Sequence, residues 1–215
     1  MALSKLAANS FDLTDNYAFT GTTTGATSTQ KLFLIKNLDA SSSGTLDFVN
    51  GASSVVLDNT YKTYLFRCVN IHPATDNVAF QINFRDGGSN YDATKTTTFF
   101  HPYNYEGGSD PYLEYAGSSD LAQSTSAQRL FQGNIDTSND SSVSGTLHLF
   151  DPSSTTFVKH FISRNNGVLH DGSNVASRSG FCAGYCNVTA AIDGVQFAMS
   201  SGNIDSGTIK MYGVV

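Results

Sequence analysis

The 215-residue sequence has no tryptophan, two glutamates, four prolines and three cysteines, and only 14% of its residues are charged. Each shortage removes a class of protein. Cys68, Cys182 and Cys186 are too few, and odd in number, for a disulfide framework; they suit assembly in a reducing cytoplasm, with a bond between Cys182 and Cys186 left open. No stretch approaches the roughly 18 apolar residues of a spanning helix, so no membrane insertion is expected. No basic region leads into an apolar run after Met1, so no signal peptide is expected either. Twelve Lys and Arg against eighteen Asp and Glu give a net charge of −6. Phosphate binding draws on clustered cations, which argues against a nucleic-acid partner. Charge is scarce because Ser, Thr, Gly and Asn fill the polar positions, a composition common in β-rich particle-forming and extracellular proteins.

What is present is strand periodicity. Val78, Phe80, Ile82 and Phe84 alternate with Ala79, Gln81, Asn83 and Arg85, the period of a strand with one face in a core. Val195, Phe197 and Met199 repeat the pattern. A Ser-Gly-Thr string followed by large apolar residues two apart occurs at Ser43, Ser144 and Ser206; it predicts a turn releasing into a strand, the last copy closing a hairpin over residues 192–212. The uneven spacing of the copies excludes a solenoid or propeller. A strand over residues 61–71 is expected to place Tyr64, Phe66 and Cys68 on one face and Leu65, Val69 and Ile71 on the other. The expected core includes Phe80, Ile82, Phe84, Leu147, Leu149, Val195, Phe197 and Ile209. The domain reading is an N-terminal arm over residues 1–30, where apolar residues lack a sustained period, followed by one all-β, antiparallel β-sandwich over residues 31–215.

Two segments interrupt the rhythm. Residues 102–139 hold Tyr103, Tyr105, Tyr112 and Tyr115, both glutamates (Glu106 and Glu114) and a helix-compatible stretch from Leu121 to Phe131. Residues 165–190 are Gly- and Ser-rich and read as a second excursion from the sheet. The clustered tyrosines offer flat apolar faces with hydroxyls, suited to a subunit contact or a sugar-binding rim. They are the principal candidate site.

Other constellations carry less. Glu106 and Glu114 have the chemistry of a glycosidase pair, but no Trp is present to make a sugar platform. His170, Asp171 and Ser173, or His160 with an Asp, contain triad residue types without the Gly-x-Ser-x-Gly elbow. Asp86, Asn90 and Asp92 flank two glycines and supply oxygen ligands for calcium, without the acidic ladder of an EF-hand. They read as turn residues. Cys182, Cys186 and His170 lack the second ligand pair of a zinc site. The expectation is therefore no enzyme, no cofactor and no metal.

Residues 70–78 (NIHPATDNV), the turn over residues 86–90, residues 147–163 (LHLFDPSSTTFVKHFIS) and residues 192–213 (IDGVQFAMSSGNIDSGTIKMYG) resemble virion proteins of marine tailed bacteriophages. The likeness runs over residues 61–215, and MALSK at the start is similar to the opening of phage tail-fibre proteins. The resemblance implies a jelly-roll-like sandwich on the virion, assembled in the host cytoplasm, with other virion proteins as partners. It implies a tail-associated host-attachment protein, or alternatively a capsid decoration protein whose arm staples the head; a carbohydrate-active enzyme is the distant third reading. A host surface glycan is the expected ligand and a homotrimer the expected assembly, with the tyrosines at the three-fold contact or at the distal tip.

Overall fold

The alternating residues form strands and point where their period requires. In the computed structural model, which describes residues 32–108, 111–172 and 174–215, twelve strands and no helix account for the regular structure of the described residues. They are β1 (Leu32–Ser43), β2 (Thr45–Val49), β3 (Thr63–Pro73), β4 (Val78–Arg85), β5 (Lys95–Tyr105) and β6 (Tyr112–Tyr115), then β7 (Gln128–Ile135), β8 (Val143–Phe150), β9 (Lys159–Asp171), β10 (Asn174–Cys186), β11 (Gly194–Met199) and β12 (Ile204–Val214). One antiparallel sheet has eight strands in the order β1-β12-β3-β8-β9-β10-β5-β6; the other has four, β2-β11-β4-β7. The two face each other across one core, the expected antiparallel sandwich. The arm over residues 1–30 lies outside the described residues.

All eight residues expected in the core have no exposed surface. At its centre the Phe197 ring meets Phe48 at 6.1 Å, Phe66 at 5.6 Å and Phe80 at 5.8 Å, so one residue of β11 ties together β2, β3 and β4. Each Ser-Gly-Thr copy also buries its apolar pair: Leu46 and Phe48, Leu147 and Leu149, Ile209 and Met211.

Four expectations are corrected. First, β11 and β12 are not a hairpin. β11 pairs with β2 and β4 in the small sheet and β12 with β1 and β3 in the large one. The chain between them is an arch, tied to the parallel arch from β1 to β2 by Asn203 Nδ2 donating to Ser42 O at 2.8 Å. The Ser-Gly of the second and third copies sits inside a strand, not at a turn; a side chain on Gly207 would collide with Asn70 O, 2.6 Å from the Cβ position.

Second, Ile71 faces the core and Val69 is exposed, because Asn70 adopts a left-handed conformation (φ 51°) where the β3–β8 register shifts. An inserted bulge residue flips the parity of every strand residue after it. Third, residues 165–190 are mostly sheet: β9 and β10 form a hairpin paired from Lys159–Cys186 to Asp171–Asn174. Its small residues are there for close approach, as at Gly180, whose Cβ position lies 2.5 Å from Leu130 O of β7. Fourth, the stretch from Leu121 to Phe131 is loop and then β7, since Leu130 and Phe131 are both drawn into the core across from β9 and β10.

Removing the Phe197 ring leaves a cavity touching both sheets. Phe197→Ala is expected to lower unfolding free energy by about 3–5 kcal/mol, measured by urea titration with an unchanged m-value.

Candidate functional site

The tyrosine-rich segment is a sheet corner. β5 continues past its expected end to Tyr105, and β6 pairs with it as Phe100–Tyr115, His101–Glu114, Pro102–Leu113 and Tyr103–Tyr112. Strand alternation then sorts the side chains. Tyr103, Tyr105 and Tyr112 share one face, with Tyr103 5.4 Å from each of the other two rings. Tyr115 faces the other way beside Phe100, its hydroxyl donating to Asp120 Oδ2 at 2.6 Å. That acceptor, followed by burial, pushes the Tyr115 hydroxyl above its ordinary pKa. Three of the four tyrosines are therefore brought together and the fourth is not.

The sequence did not mark the basic and amide groups that complete this face. Arg178 of β10 lies directly across from Tyr103 and stands over its ring at 5.5 Å, with Phe131 on another side at 6.0 Å. Its Nη1 donates to Gln132 O. His101 is buried, with Nε2 3.4 Å from Glu114 Oε2 and Nδ1 without a hydrogen-bond partner; Gln132 Oε1 is likewise buried and unpartnered. Burial, then the Arg178 charge, pushes the His101 pKa below its ordinary value against the pull of Glu114. A buried polar atom without a partner costs about 1–3 kcal/mol, and such atoms cluster where a ligand or water completes the bonding. The signal that could have found His101 was its place in the period-2 series Phe99, His101, Tyr103, Tyr105. Around the same corner, Pro102, Asn104, Leu113, Ser177 and Ser179 line an open depression of about 520 Å³.

The remaining candidates separate. Glu114 is held by His101, whereas Glu106 sits at the end of β5 with its N–H bonded to Val175 O, so the two carboxylates have different neighbours. His170 has Asp136 at Nδ1 (3.0 Å) and Asp140 at Nε2 (3.4 Å). Both ring nitrogens face carboxylates, and Nε2 is buried without a hydrogen bond. Ser173 and the Asp171 side chain lie outside the described residues. His160 packs beside Tyr185, 6.0 Å between rings. Asp86, Asn90 and Asp92 lie in the crossover from β4 to β5, not in a hairpin turn. That crossover is anchored by Asp193, which takes Arg85 Nε at 2.8 Å and Gly87 N at 3.3 Å. Among the described residues no three His, Cys, Asp or Glu side chains gather as metal ligands.

All three cysteines are buried free thiols. Cys182 and Cys186 lie on one strand, four residues apart and so about 13 Å, too far for a disulfide. Burial pushes each thiol up to about 12.

Cys186 also occupies an unusual row. Lys95 and Lys159 are its register partners on either side, and both lysines have no exposed surface. Lys159 Nζ donates to Val188 O (2.7 Å), Ser154 O (3.2 Å) and Phe157 O (3.3 Å); Lys95 Nζ donates to Ala93 O (2.9 Å) and Thr125 O (3.4 Å). Each ammonium thus staples two loops through carbonyl oxygens.

Comparison with known protein families, curated proteins and solved structures finds no match to the chain.

Burial lowers the Lys95 pKa from 10.5 to about 8. Below pH 8 the amine is protonated in folded and unfolded chains alike. Between about 8 and 10.5 the unfolded chain holds a proton that the folded one has released, so stability rises with pH. Comparing wild type with Lys95→Met cancels the titration of the thiols and tyrosines. The stability gap in favour of wild type is expected to widen between pH 8 and 10.5 in paired denaturant titrations, and to stay flat between pH 6 and 7.5.

Proposed function

We propose that the chain is a structural component of a tailed-bacteriophage virion, a tail-associated host-attachment protein that binds rather than catalyses. The observation that carries this reading is the corner where Tyr103, Tyr105 and Tyr112 converge on a sandwich edge, two of them lining an open depression together with Asn104, Ser177 and Ser179. Aromatic faces next to accessible donors and acceptors are what a sugar requires: the rings cover its C–H face, and the amide and hydroxyls around the depression bond its hydroxyls. A rigid β framework holds these groups in place without the ligand. The resemblance of residues 147–163 and 192–213 to phage virion proteins supports the location, and the repeated crossing of consecutive strands between sheets supports the jelly-roll-like reading.

In this reading the sandwich faces outward on a homotrimer and the corner forms a distal rim for host surface glycan. Tyr112 is half exposed, so its removal costs the fold little. Tyr105→Ala and Tyr112→Ala are expected to leave the trimer intact in analytical ultracentrifugation and to reduce adsorption of particles to host cells. A monomer, together with unaltered adsorption by both variants, overturns the proposal. Counting copies per particle decides the location: a handful supports attachment, whereas hundreds on the head would replace it with capsid decoration.

A further inference from the structure

The outer face of the large sheet carries one unbroken register row to which every strand contributes a residue. From β1 to β6 it reads Asn37, Lys210, Arg67, Thr146, Arg164, Phe181, Phe100 and Tyr115, each directly opposite the next. At a strand spacing of about 4.8 Å the row is roughly 34 Å long. It contains three cations, three aromatic rings and two neutral hydrogen-bonding side chains, and no carboxylate.

In a chain of net charge −6 this is a local inversion of sign. Several cations elsewhere are already engaged: Lys62 pairs with Asp151 and Arg85 with Asp193, while Lys95 and Lys159 are buried on carbonyls. Lys210 and Arg67 stand side by side on β12 and β3 with no ion-pair partner among the described residues. Like charges directly opposite on neighbouring strands destabilise a sheet. The nearest carboxylate along β1, Asp39, is already held by Asn37 Nδ2 (2.7 Å) and Thr208 Oγ1 (2.6 Å).

Arg164 is fixed in place. Its guanidinium lies 5.2 Å over the Phe181 ring, and the other side of that ring is stacked on Phe100 at 4.8 Å with an interplanar angle of 1°. A stacked guanidinium loses less freedom when it bonds an anion. Charge density separates the polymers. Three cations over roughly 34 Å are sparse against the phosphates of a nucleic acid, one per about 3.4 Å of strand, and the exposed Phe100 and Tyr115 rings give a flat apolar face to the C–H side of a sugar. A chain of sugars bearing carboxylate or sulfate groups needs only the upward-facing cations and the Thr146 and Asn37 side chains.

We propose that this row is a binding site for acidic polysaccharide, the polymer lying across the strands with its anions on Lys210, Arg67 and Arg164. The inference deepens the attachment reading and rests on it for the source of the polymer, but the contact is testable on the isolated protein.

Binding of the purified full chain to polygalacturonate, dextran sulfate, uncharged dextran and single-stranded DNA is measured at several salt concentrations. Both acidic polysaccharides are expected to bind, with affinity falling as salt rises, and the uncharged dextran is not. Arg67→Ala, Arg164→Ala and Lys210→Ala each weaken binding roughly tenfold and lower the salt slope by about one. Lys62→Ala, which removes a cation from the neighbouring loop, leaves binding unchanged. Circular dichroism confirms that the exposed substitutions leave the fold intact. The proposal is overturned by no binding of either acidic polysaccharide, by full binding in the triple variant, or by single-stranded DNA binding as tightly with the same mutant profile. Loss of the polysaccharide contact with tyrosine-dependent adsorption retained would leave the attachment reading standing.

Discussion

Eight strands face four, and the rest of the molecule depends on that mismatch. At about 4.8 Å between strands the large sheet is roughly 34 Å wide and the small one roughly 14 Å, so the small sheet cannot cover the inner face of its partner. β7 closes over β9 and β10, and β7 is bonded to β5 through Thr97 Oγ1, which donates to Gln128 Oε1 at 2.5 Å. Beyond His101 the cover thins. From His101 onward the inner-facing residues of β5 and β6 are His, Tyr, Tyr, Tyr and Glu instead of Phe and Leu. The amphipathic groups at the corner are thus what a partly covered sheet face permits, neither core nor open surface.

The same geometry explains how the polar interior is satisfied. Loops joining one sheet to the other must pass over the open ends of the sandwich, where their carbonyls turn inward and need donors. Lys95 and Lys159 supply them, standing on adjacent sides of Cys186 at one end. At the other end, Asn203 and the Asp136–His170 pair perform a comparable tethering with side-chain bonds. The core supplies the burial, and these few polar groups select which loop lies where.

Much of this is legible in the residues. Strict alternation finds Phe80, Ile82, Phe84, Val195 and Phe197 because a side chain's face depends only on its parity within its own strand. Partner choice does not have that property. Whether β11 turns into a hairpin or an arch depends on the distant strands that flank β11 and β12 in the two sheets, which no local string records, so the residues of an arch look like those of a closing hairpin. One bulge at Asn70 turns Ile71 inward, off the face it would otherwise share with Val69, and the small residues of β9 and β10 resemble a loop because they lie under a second layer. The tyrosines are visible as a cluster; Arg178, some 70 residues away in sequence, becomes their neighbour only through the β5–β10 register.

The two buried ammoniums have one more property. A tether made from a carboxylate and a cation opens in acid, when the carboxylate takes a proton. Lys159 and Lys95 hold their loops through main-chain carbonyls, which do not titrate, and acid only keeps the amines charged. The end of the sandwich that they close therefore stays fastened as the pH falls, and only in alkali does Lys95 give up its proton.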